Sequence, residues 1–166
     1  METIAIYWEN RVKTYGFQIK QNLSLHHLVL PPAAVSQWSA LLLSAKKDII
    51  FELVLLQANA APAFDLYLLL QKKWENHLAA LLERMGKNIP SIDCDTYSPV
   101  ELLHFQGPHF GDRYGIADKV FGSLSQESVP ILGMGCTAAS VYIIFPEHEA
   151  PRAKKVLADV FETPEK

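Results

Sequence analysis

The chain is poor in the residues that most readily announce a function. Among 166 residues there are two cysteines, Cys94 and Cys136, far apart and in no C-x-x-C pair. That spacing argues against a disulfide framework or a zinc knuckle, and leads us to expect two buried free thiols in a reducing compartment. Positive charge is not in excess: 15 Lys and Arg stand against 18 Asp and Glu, a net charge of −3. No basic stripe with interleaved aromatics is present, so a nucleic-acid partner is not expected. Long apolar runs are lacking too. The stretch Ala63 to Leu70 is too short to span a bilayer and contains Asp65, so no membrane partner is expected. The first ten residues carry no basic region and turn polar by Glu9; without a leader signal the expected location is cytoplasmic. No G-x-S-x-G occurs, and neither cysteine has a histidine close in sequence. Gly133-Met134-Gly135 lacks the third glycine of a dinucleotide fingerprint. His104, His109 and Asp112 invite a metal reading, but no H-x-x-x-H is present and His26 and His27 fall on opposite faces of a strand. We therefore expect no enzyme, no metal and no cofactor.

What the chain does have is core. Hydrophobic residues make up 49% of it, enough for one medium domain or two small ones. Thr3 to Trp8 reads as a strand, Glu9 to Thr14 as a turn and Tyr15 to Ile19 as a second strand, together a hairpin over 3–20. Leu23 to Leu30 is a strong strand ended by Pro31 and Pro32. The spacing of Val35, Trp38, Leu41, Leu42 and Ala45 predicts an amphipathic helix over 33–45, with Pro32 in its first turn. Residues 49–57 and 63–71 read as an antiparallel pair around the loop 59–62. A second amphipathic helix covers 73–85 and stops at Gly86. Residues 87–99 are the most polar stretch, with room for a short strand at 91–94. Then come a strand at 100–105, a helix at 114–125, strands at 129–136 and 140–145, and a helix over 146–161.

The two halves repeat. Leu23 to Pro31 aligns with Val100 to Pro108 at an offset of 77, placing His27 on His104 and Pro31 on Pro108. Phe64 to Leu70 aligns with Ser140 to Pro146 at an offset of 76, and Trp74 to Met85 with Ala150 to Phe161 at the same offset. Each half reads β-α-β-β-α. One more strand would complete a ferredoxin-like βαββαβ unit. Residues 91–98 can supply it for the first half; the second half has no room at its end, and Thr3 to Trp8 is the candidate to fill that vacancy. The expected fold class is α+β, two ferredoxin-like modules with antiparallel sheets and helices on one face, divided as 1–98 and 99–166.

The stretch Leu102 to Leu124 is strand, glycine-bearing turn, helix start. Unpaired N–H groups at a helix N-terminus carry partial positive charge and can hold a small anion or zwitterion. Asp112 fits either as the helix N-cap or as the partner of an α-ammonium. Arg113 either clamps a carboxylate or lies in solvent. Gly111 and Gly115 either let a ligand approach the backbone or only shape the turn.

The second half resembles an ACT domain, the small-molecule regulatory module of amino-acid metabolism, and most of all the paired ACT modules at the C-terminus of aspartate kinases. The resemblance rests on Phe110-Gly111-Asp112-Arg113 before Gly115-Ile116, on Val120, Phe121 and Leu124, on Val129-Pro130-Ile131-Leu132, and on Ser140 to Pro146. It covers residues 100–162; the first half matches in element order only. It implies a regulatory, allosteric module that binds an effector, a free amino acid or similar compound, as a homo-oligomer such as a dimer, with an amino-acid-pathway enzyme on another chain as the regulated partner. Carried over by position, the implied ligand residues are Gln106, Gly107, His109, Phe110, Gly111, Asp112, Arg113, Tyr114, Gly115 and Ile116, with Ile131, Leu132 and Gly133 facing them. Tyr114 stands where the family commonly has proline, a place from which it could cover the pocket. The equivalent turn of the first half is Leu30-Pro31-Pro32-Ala33-Ala34, with no glycine and no polar side chain, so its site is expected to be lost. A structural or dimerisation protein with the same fold and no retained site is the alternative reading.

Overall fold

A computed structural model describes residues 11–45, 48–86, 93–108 and 110–163 of the chain. The expected strand at Thr3 to Trp8 and the residue His109 lie outside them. The chain divides into two compact units, Asn22–Val100 on one side and, on the other, the residues up to Gln21 together with those from Glu101 onward. Each cut falls inside a long strand: β2 (Phe17–Leu30) and β5 (Cys94–Gln106). Asn22, at the first cut, has φ 58°, a left-handed conformation that asparagine tolerates better than most residues.

In Asn22–Val100 the chain runs through the second part of β2, helix α1 (Val35–Ala45), β3 (Phe51–Ala58), β4 (Phe64–Gln71), helix α2 (Glu75–Gly86) and the first part of β5. That is a complete βαββαβ unit, with strand order β3-β4-β2-β5. β2 and β4 are antiparallel from Leu23↔Gln71 to Leu30↔Phe64, and β3 pairs antiparallel with β4. Alternate residues, Leu28 and Leu30 on β2 and Leu66, Leu68 and Leu70 on β4, pack with Trp38 of α1 and Leu78 of α2. This period of two against a period of 3.6 is what the sequence pattern encoded. Pro31 stops β2, and a single 3₁₀ turn, Pro32–Ala34, leads into α1. Ile49, expected to open β3, instead closes α1: its N–H donates to the Ala45 carbonyl at 2.9 Å and its side chain is buried.

The other unit holds the first part of β2, the second part of β5, helix α3 (Ile116–Gln126), β6 (Gly133–Cys136), β7 (Ser140–Pro146) and helix α4 (Ala150–Leu157). Its strand order is β2-β5-β7-β6. Residues 17–21 therefore take the vacant strand position. They run on into the 23–30 strand as part of β2 instead of forming a separate strand. A short parallel ladder, β1 (Val12–Lys13) with β8 (Phe161–Glu162), adds a second tie to the N-terminal part of the chain. The core of this unit sets Leu103 and Phe105 of β5 and Val141, Ile143 and Phe145 of β7 against Ile116, Val120 and Leu124 of α3 and Ala150, Ala153 and Leu157 of α4.

Three expected elements come out shorter. α3 begins at Ile116, because Gly115 ahead of it adopts φ 82° and serves as N-cap without a side-chain hydrogen bond. Asp112 is thus not the cap of α3. The strand expected from Val129 starts only at Gly133, because the end of α3 folds back first: the Val129 N–H donates to the Leu124 carbonyl at 2.9 Å and the Ser128 N–H to Ser125 at 3.0 Å. α4 spans eight residues, and Phe161 leaves it to enter β8. Both cysteines are free, as expected, but exposed, not buried. Among the described residues no helix is long and apolar enough to cross a membrane.

Candidate functional site

The turn between β5 and α3 is held from beneath by aromatic packing. Phe110 is buried, with its ring 5.9 Å from Phe105 and 6.5 Å from Phe161, and Phe105 and Phe161 are 5.0 Å apart. It opens a 3₁₀ turn, Phe110–Asp112. Of the candidate ligand residues, Phe110 and Ile116 are therefore core anchors of the turn. Gly107 is buried, and a Cβ there would lie 2.1 Å from the Phe110 ring and 2.5 Å from the Lys13 carbonyl oxygen. Glycine is required at this point by close approach. A Cβ at Gly111 would lie 3.2 Å from the carbonyl oxygen of Ala138, in the bend between β6 and β7.

The polar candidates form the outer rim. Asp112 is exposed and Arg113 half-buried, and each is engaged by another group. Tyr114 is 91% exposed, so it covers no pocket in its own unit. Gln106 is exposed; its backbone carbonyl accepts the Tyr15 N–H at 2.8 Å and its side-chain nitrogen lies 3.4 Å from His104 Nε2. His104 stacks on Tyr142 with ring centroids 4.5 Å apart. Burial, and behind it the Lys20 charge, pushes His104 below the ordinary imidazole pKa, which leaves Nε2 able to accept from the Gln106 amide.

The structure does not gather all the candidates in one hollow. Gln106 lines a small hollow of about 40 Å³ with Tyr15, Gly16, Gln18, His104 and Phe105. Ile131 lines a larger, shallower one of about 370 Å³ with Phe121, Ser125, Ser128, Val129 and Pro130. Leu132 already donates its N–H to the Ile144 carbonyl at 2.9 Å, extending the β6–β7 pairing. Tyr15 and Gln18, which line the smaller hollow, were not singled out by the sequence pattern, since nothing local shows a strand near residue 17 to lie beside β5.

Among the described residues no three His, Cys, Asp or Glu side chains gather as metal ligands. Although both cysteines are exposed, partial desolvation raises the pKa of each thiol, which disfavours the reactive thiolate. Buried Glu101 has a structural role. Its carboxylate accepts from the Gln21 side chain at 2.8 Å and from the Ala150 N–H at 2.9 Å, at the positive start of α4.

A continuous βαββαβ unit, interleaved in sequence between the two segments of a second unit whose remaining strand comes from residues 17–21, defines a tandem ACT-type fold. Solved structures make the likeness more particular. The chain superposes on the regulatory subunit of aspartate kinase from Thermus thermophilus with a TM-score of 0.74 and 14% identity, covering 90% of this chain and 99% of that one. For aspartate kinase from Synechocystis the TM-score is 0.75 at 16% identity, over 95% of this chain and 29% of that one. For E. coli aspartokinase III in complex with lysine and aspartate it is 0.60 at 16% identity, over 93% and 34%. This chain thus spans about a third of those whole kinases and nearly all of the isolated regulatory subunit. No family model and no curated protein matches the sequence. At these identities the likeness is one of fold.

Proposed function

We propose that this protein is a non-catalytic regulatory module that binds a free amino acid at the turn Gln106–Ile116 and acts on an amino-acid-pathway enzyme carried by another chain in the cytoplasm. The observation that carries this reading is the near end-to-end likeness to an isolated regulatory subunit, together with a turn that packs its aromatic inward and presents Asp112 and Arg113 outward. A carboxylate and a guanidinium on adjacent residues suit the two charges of a zwitterion. E. coli aspartokinase III, of the same fold, has been captured with lysine and aspartate. Thermal unfolding with each common amino acid tests the reading. One of them should raise the melting temperature, and Asp112→Ala should abolish the rise while leaving the unliganded transition in place. No response to any of them removes sensing.

A second reading has its own support. β3 ends the strand order of its unit, and Ile50, Val54 and Leu56 on and beside it are exposed, as is Leu43 of α1. An apolar strand edge is a template for pairing with another chain. A homo-oligomer joined there is compatible with sensing, and would be the whole function if the turn binds nothing.

A further inference from the structure

The segment Val12 to Gly16 is bound at one end and aimed at the turn at the other. Its N–H groups donate to the end of the chain: Val12 to the Val160 carbonyl at 2.9 Å and Thr14 to the Glu162 carbonyl at 2.8 Å, with the Thr14 hydroxyl on the same oxygen at 3.0 Å. One residue later Tyr15 donates to the Gln106 carbonyl. The Lys13 carbonyl occupies the space a side chain at Gly107 would need. The segment is therefore a strap laid from β8 to the corner where the candidate turn begins. Beside it lies the hollow of about 40 Å³, walled by Tyr15, Gly16 and Gln18 from the strap side and by His104, Phe105 and Gln106 from β5. On this measure a single water needs about 10–15 Å³, so the hollow has room for a small polar group of a few atoms.

Resting on the sensor reading above, we propose that the strap is the second wall of the effector site, with Tyr15, Gln18 and His104 as further ligand residues. The group received there is the planar, oxygen-bearing end of an amino-acid side chain, a carboxylate or a carboxamide. Gln18 and Gln106 carry amide donors and Tyr15 a hydroxyl donor, and none of the lining side chains is an acid. Lys20 adds positive charge close to His104. An ammonium end would find no acidic side chain in that lining, and desolvating it there is unfavourable. Occupancy also fastens the strap, because the ligand bridges Tyr15 to Gln106, whose carbonyl already accepts the Tyr15 N–H.

The test uses the full chain with aspartate, asparagine, glutamate, glutamine, lysine and alanine, each alone. Aspartate against asparagine, and glutamate against glutamine, separate carboxylate from carboxamide. Thermal unfolding should respond to at least one of the first four and more weakly to lysine and alanine. Gln18→Ala, at an exposed position, should weaken the response about five- to tenfold in half-saturating concentration, the loss of about one hydrogen bond. Tyr15→Ala serves as the second variant. Hydrogen exchange should slow at the Val12, Thr14 and Tyr15 amides when the ligand is bound. A melting response that ignores both variants and leaves those amides unchanged overturns this inference and leaves the sensor reading standing. So does a response to lysine stronger than to the four. Silence towards all six and every other common amino acid overturns the sensor reading and this one with it.

Discussion

Gly107 and His26 show how single residues set the limits of this fold. At Gly107 the Phe110 ring and the Lys13 carbonyl leave no room for a methyl group. Gly107→Ala should destabilise the unit containing the turn by about 2 kcal/mol, the usual scale for forcing an extra carbon into a packed core, and urea unfolding measures it. His26 is buried on the helix-facing side of β2, with Nδ1 3.1 Å from the Thr96 hydroxyl and Nε2 3.5 Å from that of Ser24. Burial lowers its pKa, partly offset by Glu75. With the folded value below the unfolded one, the unfolded chain binds the extra proton. The contribution is therefore complete above about pH 6.5, the ordinary imidazole value, and is lost as pH falls from there through the folded pKa. The urea midpoint should drop between pH 7 and pH 5, and drop less in His26→Gln. Equal slopes in the two proteins would show that His26 is not the group responsible.

At the scale of elements, the end of α3 carries a strained residue in a well-formed stop. Leu124, Ser125, Ser128 and Val129 make the paired hydrogen bonds of a Schellman motif. Ser128 sits at its left-handed position with φ 51°, where glycine is usual. Left-handed backbone costs a non-glycine residue about 1–2 kcal/mol, and glycine gives back about 0.5–1 kcal/mol in chain entropy. Ser128→Gly should thus stabilise by about 0.5–1 kcal/mol, read as a higher urea midpoint at unchanged slope; a lower midpoint would contradict the assignment. The same motif explains why the sequence misplaced the start of β6. Val129 to Cys136 has a strand's composition, but its first residues close a helix. The helices and the β3–β4 hairpin were legible because their apolar spacing is long and regular. β2 and β5 were each read as two pieces, since Asn22 and Pro99 look like breaks. Pro99 is tolerated because the part of β5 it lies in ends the strand order of Asn22–Val100. Within the site, Gly107 and Gly115 were legible as glycines of a turn. The inward role of Phe110 was not, because it depends on Phe161, far along the chain, entering β8 instead of ending a helix.

For the molecule as a whole, the interleaving makes the two units unequal in what each needs from the chain. Asn22–Val100 contains all six elements of its βαββαβ in one continuous piece. The other unit draws on the N-terminal part of the chain twice: residues 17–21 supply a strand beside β5, and β1 supplies the buried Val12 and the ladder to Phe161. A fragment 101–166 lacks both. Without the strand, β5 is left with an open edge, and without Val12 the Phe105, Phe110 and Phe161 cluster loses a neighbour from its core. The expected result is that fragment 22–100 unfolds cooperatively on its own, whereas fragment 101–166 shows no cooperative transition by circular dichroism. Joining residues 11–21 to the second fragment through a flexible linker should restore one. Because the strap is among those residues, the restored fragment should also regain the protection of the Tyr15 amide, whose acceptor is the Gln106 carbonyl. A fragment 101–166 that already unfolds cooperatively would mean the N-terminal segment is an accessory to that unit, and the candidate turn could then form without its strap.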